Sequence, residues 1–294
     1  RSTLSSSSAA SDVYKRQGTF LTKQLLETDS FNIIGTSRDK NHDEFYKRLQ
    51  YLKLNSEKLI NLKITTGDLL DQKDKIESEI KNIKFDYVYN LMGPGSVYES
   101  VIEPFNSSYT IVSSFNNLLN AFLKTKQYPI FFQTSSSEMF GSVNQKPLEE
   151  NSLFNPVSPY ANSKYYIHKM LSFYRVRYDW NLSSGILFNH ESEFRPDGYL
   201  IMKIINAAIN IKNKKQELLE VGSLDLKRDW GYAKDYTLAM QMILEKKPGE
   251  DFVIGSGEAT SIKEIVDYVF SYFQLDYKEF VTENTKLLRT GEPN

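Results

Sequence analysis

Ser158-Pro159-Tyr160-Ala161-Asn162-Ser163-Lys164, together with Ser135-Ser136-Ser137-Glu138 upstream, is the stretch that organises the chain. Tyr160 and Lys164 are four residues apart, so on a helix they lie on one face, one turn apart. Ser158 suits an N-cap and Pro159 the first helical position, which predicts a helix starting just before Tyr160. A phenol of pKa ~10 is a poor base at neutral pH. An ammonium one turn away favours the phenolate, and a nearby hydroxyl can hydrogen-bond it or a substrate. Such a set can take a proton from an alcohol while a cofactor takes its hydride. The spacing alone recurs often by chance on solvated helix faces, so its surroundings decide the reading.

Outward from that stretch, strand-type and helix-type segments alternate. Gly18 to Glu27 has helical periodicity, Phe31 to Ser37 is a short apolar strand, and Leu62 to Thr66 is another. Asp71 to Asn82 reads as a helix, Tyr87 to Leu91 as a buried strand, Ser107 to Lys124 as a helix and Pro129 to Gln133 as a strand. The second half continues with helix Tyr160 to Tyr178, strand Ser183 to Asn189 and a turn at Arg195-Pro196-Asp197-Gly198. Helices are then expected over Leu200 to Ile211, Asp235 to Leu244 and Thr260 to Phe273, with a turn at Arg228-Asp229-Trp230-Gly231 and a strand at Phe252-Val253-Ile254. This order predicts an α/β fold, a Rossmann-type doubly wound parallel sheet with a smaller C-terminal α/β substrate-binding region. Such sheets bind ligands beyond the carboxyl ends of their strands, where Arg38, Asp68, Gly93 and Ser136 fall.

The first seventeen residues are serine-rich, lack an initiator methionine and carry no apolar run, so they read as a non-native leader, residues 1–17, outside the fold. A dinucleotide fold needs a first strand and a glycine-rich turn, because the pyrophosphate approaches backbone N–H groups at a helix N-terminus. Here only Gly18 precedes the first helix, so the first strand is expected to be missing. The expected division is an NAD(P)-binding Rossmann domain over 18–190 and an interleaved substrate-binding region over 191–294, truncated at its C-terminus.

Composition narrows the class. With 294 residues the chain can bury a full core, and a net charge of -1 with 25% charged residues points to neither nucleic acid nor a membrane surface. There are no cysteines, which suits a reducing cytoplasm and removes thiolate metal sites. His42, His168 and His190 are too widely spaced to suggest a metal centre. No apolar run approaches the ~20 residues of a membrane span.

Several longer motifs add to this reading. They are Tyr89-Asn90-Leu91, Gln133 to Gly141 (QTSSSEMFG), the Tyr160–Lys164 pair, Gly185 to Ser192 (GILFNHES), Val221 to Asp225 (VGSLD), Arg228 to Tyr236 (RDWGYAKDY) and Asp251 to Ile254 (DFVI). On these the chain resembles the extended short-chain dehydrogenase/reductase (NAD-dependent epimerase/dehydratase) family, most closely its GDP-mannose 4,6-dehydratase branch. The resemblance runs from about Gly18 to Asn294. It implies an NADP-dependent lyase that acts on a nucleotide sugar, GDP-mannose being favoured, in a homodimer or homotetramer. A related epimerase, reductase or decarboxylase is the alternative, and a non-catalytic sugar-nucleotide-binding relative a remoter one.

The roles implied by the resemblance are as follows. Tyr160 and Lys164 deprotonate the sugar C4 hydroxyl during its oxidation, Ser136 bonds the C4 oxygen, and Glu138 removes the C5 proton and helps water leave C6. Gly18, Arg38, Asp68, Leu69, Leu91, Gly93, Lys164, His190 and Arg195 match cofactor positions. Arg38 suits an adenosine 2′-phosphate, although Asp39 stands where the family has a second arginine, so NADP is preferred and NAD stays open. Asn189, Lys203, Gly222, Arg228 and Arg289 match nucleotide-diphosphate positions. The Gly93-Pro94-Gly95-Ser96 run departs from the family and leaves the identity of the sugar open.

Overall fold

Strands buried on both faces can satisfy their backbone groups only against one another, and that requirement builds the central sheet. The computed structural model describes residues 2–6, 14–38, 40–68, 70, 73–93, 95–142 and 147–288. Its strands begin with β1 (Ser2–Ser6), β2 (Asn32–Ser37), β3 (Leu62–Thr66), β4 (Tyr87–Asn90), β5 (Ile130–Ser136) and β6 (Leu182–Leu187). They continue with β7 (Asn189–Glu191), β8 (Leu219–Val221), β9 (Lys227–Tyr232), β10 (Asp251–Ile254), β11 (Ala259–Ser261) and β12 (Val281–Glu283). The helices are α1 (Thr19–Glu27), α2 (Asp43–Tyr51), α3 (Lys73–Asn82), α4 (Val97–Ile102) and α5 (Pro104–Thr125). After them come α6 (Pro159–Tyr178), α7 (Leu200–Lys212), α8 (Ala233–Lys246), α9 (Ile262–Tyr272) and α10 (Tyr277–Phe280).

The main sheet has seven strands in the order β10-β6-β5-β4-β1-β2-β3, and every pairing is parallel. The direction of winding reverses between β1 and β4, which opens a crevice at the strand carboxyl ends. Phe115, Leu118, Phe122, Phe131, Leu171 and Trp180 pack α5 and α6 against one face. Leu21, Leu25, Phe132, Met240 and Leu244 pack α1 and α8 against the other. A separate cluster of Ile204, Leu219, Val221, Val266 and Phe270 holds α7, α9 and β8 together beyond the main sheet.

Three expectations are corrected. The first strand is not missing: Ser2–Ser6 lies at the sheet centre, with Thr3 paired to Ile33 on one side and to Tyr87 on the other. Without it, β2 and β4 would each present an open row of backbone donors and acceptors, and a serine-rich segment can fill that gap because ladder bonds need no apolar side chain. Arg16 and Gln17, at the end of the segment read as a leader, are only 6% and 3% exposed and so are part of the fold. Arg228 to Gly231 is not a turn but part of β9, parallel to β7 and antiparallel to β11.

Candidate active site

The carboxyl end of β5 and the start of α6 supply the centre of the site. The side chain of Ser158 accepts from the Ala161 N–H at 3.1 Å, and Pro159 occupies the first turn, so the helix begins where the sequence places it. Tyr160 and Lys164 turn inward and are buried. β5 ends at Ser136 and passes into a 3₁₀ turn, Ser137–Phe140, that presents Glu138. The Ser136 hydroxyl accepts from the Glu138 N–H at 3.3 Å and is hydrogen-bonded to the Tyr160 phenol. Glu138 is close enough for its charge to act on that phenol. Ser136, Glu138 and Tyr160 therefore lie together where β5 ends and α6 begins.

Burial pushes the Tyr160 phenol up to about 12; the Glu138 carboxylate also raises it, while the Ser136 hydrogen bond and the Arg16 guanidinium pull it back. Burial likewise brings the Lys164 ammonium down to about 8. Lys164 Nζ lies 5.8 Å from the centre of the Tyr160 ring and donates to the Thr134 carbonyl at 3.0 Å. That carbonyl also accepts from the Gln133 amide at 2.8 Å, the Asn90 amide donates to Gln133 at 2.7 Å, and the Thr134 hydroxyl donates to the Asn90 carbonyl at 3.0 Å. This buried network ties the ends of β4 and β5 to the lysine. Sequence reading singled out neither Thr134 nor Gln133 for it, because backbone carbonyls carry no motif.

Beyond β4, Leu91 is buried and Gly93 follows with φ +119°, a backbone that other residues resist. A Cβ at Gly93 would lie 3.9 Å from Lys164 Nζ, so the loop passes directly against the lysine. Arg38 and Asp68, at the ends of β2 and β3, form an ion pair at 3.7 Å on the other side of the crevice. Gly18 is helical and closes a π-turn, Tyr14–Gly18, that runs straight into α1. Leu69 and Arg289 lie outside the described residues.

His190 is buried and held as a neutral ring. Its Nδ1 bonds the Phe188 carbonyl at 2.8 Å, which requires a proton there, so Nε2 accepts from the Gln17 amide at 2.8 Å. Burial, reinforced by the Arg16 and Arg195 charges, keeps its pKa well below the usual histidine range. Arg195 grips Glu191 through two bonds of 2.5 and 2.7 Å. Arg16 donates to the His190 carbonyl and pairs with Glu191 at 3.7 Å, a contact that no local pattern announces. The Asn189 carbonyl accepts from the Tyr236 hydroxyl at 3.3 Å. Lys203 donates to the Glu220 carbonyl at 2.8 Å, Gly222 packs beneath Leu287 and Leu288, and Arg228 donates to the Lys227 carbonyl at 2.7 Å. These last three gather around the smaller sheets.

The sequence profile of GDP-mannose 4,6 dehydratase matches residues 17–292. The chain belongs to the GDP-mannose 4,6-dehydratase family. It is 34% identical to the GDP-mannose 4,6 dehydratase of Drosophila melanogaster over 72% of this chain and 54% of that protein. With GDP-mannose 4,6 dehydratase 1 of Arabidopsis thaliana it shares 32% identity over 94% of this chain and 77% of that one. The chain thus spans about half of the first relative's length and three quarters of the second's. Among solved structures, the UDP-glucuronic acid 4-epimerase of Bacillus cereus superposes with a TM-score of 0.81 at 19% identity, covering 100% of this chain and 88% of that one, a likeness of fold. Among the described residues no helix is long and apolar enough to cross a membrane.

Proposed function

We propose that this chain is a nucleotide-sugar 4,6-dehydratase, a lyase converting GDP-mannose to its 4-keto-6-deoxy product. The observation that carries the reading is the convergence of Ser136 and Glu138 on the buried Tyr160 phenol, with Lys164 beside its ring. An epimerase needs the tyrosine and the lysine; elimination of water also needs a carboxylate to work on the neighbouring carbons. Tyr160 accepts the proton of the C4 hydroxyl, and Ser136 holds both the phenol and that oxygen. Loss of the C4 hydride to the bound cofactor would leave a ketone that acidifies C5, where Glu138 takes the proton and delivers one to the hydroxyl departing from C6. Return of the hydride to C6 and of a proton to C5 would complete the 4-keto-6-deoxy product. Lys164, at a pKa of about 8, is largely cationic at neutral pH, and its ammonium 5.8 Å from the ring centre would favour the phenolate that takes up the C4 proton.

The crevice suits NADP at both ends: Arg38 and Asp68 would hold the adenosine end, and Gly93 and Lys164 the nicotinamide end. Leu69, Leu91, Gly18, His190 and Arg195 would line the remainder. The pyrophosphate position departs from the usual pattern, because buried Arg16 and Gln17 lead into α1 where glycines normally stand. When bound, NADP supplies the reversible two-electron acceptor that this chemistry needs; the Bacillus cereus epimerase is itself a complex with NAD. In this reading residues 18–190 hold the cofactor and 191–294 the sugar nucleotide, with Asn189, Lys203, Gly222, Arg228 and Arg289 at its diphosphate. A cytoplasmic setting and a homo-oligomer, formed through the exposed apolar faces of α5 and α6, belong to the same proposal.

Incubation with GDP-mannose and NADP tests it, followed by mass spectrometry for loss of one water and NMR for the 4-keto product. An unchanged sugar or a C4 epimer overturns it. Tyr160→Phe is expected to cut kcat at least about a hundredfold, the scale of lost general base catalysis. GDP-mannose binding, measured by calorimetry, is expected to stay within about twofold because only a hydroxyl is removed.

A further inference from the structure

We infer that Ser100 is a positioning residue for Tyr160, fixing the first turn of α6 so that the phenol meets Ser136. The inference rests on the dehydratase reading for its catalytic consequence. The opening turn of a helix leaves its N–H groups without partners inside the helix. In α6 these groups can be followed one by one. Past the N-cap, Pro159 has no N–H, the Ala161 N–H is taken by the Ser158 hydroxyl at 3.1 Å, and regular helical bonding starts with the Asn162 N–H on the Ser158 carbonyl at 2.9 Å. The remaining donor, the backbone N–H of Tyr160 itself, is taken at 3.2 Å by the hydroxyl of Ser100, which belongs to α4. Ser100 is 0% exposed, and its own proton goes to the Val97 carbonyl at 2.7 Å, so the lone pair offered to Tyr160 is fixed in direction. α4 begins four residues after Gly93, whose backbone passes Lys164, and the Ser96 side chain caps it by accepting from the Glu99 N–H at 3.1 Å. One hydroxyl therefore ties the backbone of the tyrosine to α4.

The geometry required of a general base is narrow, so a small shift of this turn moves the phenol away from both Ser136 and the substrate oxygen. Ser100→Ala removes the acceptor and leaves a buried N–H without one; Ser100→Thr keeps the oxygen. With GDP-mannose and NADP, Ser100→Ala is expected to lower kcat about tenfold with KM within about twofold, and Ser100→Thr to regain most of the loss. Two readouts need no turnover: hydrogen exchange at the Tyr160 amide, and the alkaline absorbance titration of Tyr160 taken as a difference from each protein's Tyr160→Phe counterpart. Ser100→Ala should speed the exchange about tenfold or more and raise the phenol midpoint, while Ser100→Thr should match the parent chain. Parental exchange and midpoint in Ser100→Ala overturn the inference. So do a raised KM at unchanged kcat, and equal impairment of the alanine and threonine variants. Absence of any dehydration by the parent chain overturns the dehydratase reading instead, and Ser100 is then judged by exchange and titration alone.

Discussion

Lys164 shows what it costs to place a working cation inside a protein. Burial brings it down to about 8 from a lysine's ordinary value, so at neutral pH the folded chain keeps a charge where it is poorly solvated. A lysine whose folded pKa lies below its unfolded one binds more protons when unfolded. Stability therefore rises with pH from about 8 towards ~10.4 and carries the full penalty below that window. The shift corresponds to a cost on the order of 3 kcal/mol at pH 7, which the 3.0 Å bond to the Thr134 carbonyl offsets only in part. Lys164→Met keeps the bulk and removes the charge. It is expected to unfold about 2 °C or more above the parent at pH 7, with the gain shrinking by pH 10, and to lose at least about a hundredfold in kcat. Calorimetric scans at the two pH values check this, and a variant that melts below the parent at pH 7 would show that the ammonium stabilises on balance.

At the level of elements, the short turn that carries Glu138 depends on how it ends. Gly141 closes it with φ +60° and ψ -145°, and a Cβ there would stand 1.9 Å from the Asn155 carbonyl oxygen, a backbone atom that cannot swing aside. Gly141→Ala is expected to cost about 3 kcal/mol or more in urea unfolding and to lower kcat by displacing Glu138. A loss under about 0.5 kcal/mol would mean that the turn re-forms elsewhere. Elements of this region differ in how readily they can be read from the chain. β3 was legible with its observed bounds, Leu62–Thr66, because apolar and polar residues alternate and a Gly-Asp pair follows. Tyr160 and Lys164 were legible because helical spacing is local. β9 was not: Arg228-Asp229-Trp230-Gly231 has the polarity and the glycine of a turn, and only its pairing with β7 and β11 makes it a strand. The partners of the site escaped for the same reason. Ser100 meets Tyr160 across 60 residues and Arg16 meets His190 across 174, distances over which periodicity says nothing.

Across the whole molecule, α5 and α6 cover one face of the sheet, and their inner sides are spent on the core around Phe115, Phe122 and Leu171. Their outer sides are nevertheless apolar. Phe105 and Val176 are each 90% exposed, and Tyr109 and Phe173 lie exposed on the same two helices. Phe105 and Tyr109 are four residues apart and so lie on one stripe of α5, and Tyr166 and Phe173, seven apart, share one of α6. A monomer gains nothing by holding such stripes in water, whereas a second copy turned about a twofold axis buries both sets at once. A stable interface of this kind removes about 1,200 Å² or more of surface, within reach of two helix pairs packed side by side. The expected outcome is a dimer by light scattering at micromolar concentration. Phe105→Glu combined with Val176→Glu should release monomers with unchanged far-UV dichroism, because both side chains already stand in solvent within the protomer. A parent chain that elutes as a monomer would leave these stripes without the proposed partner, and a double variant that stays dimeric would move the interface to another face.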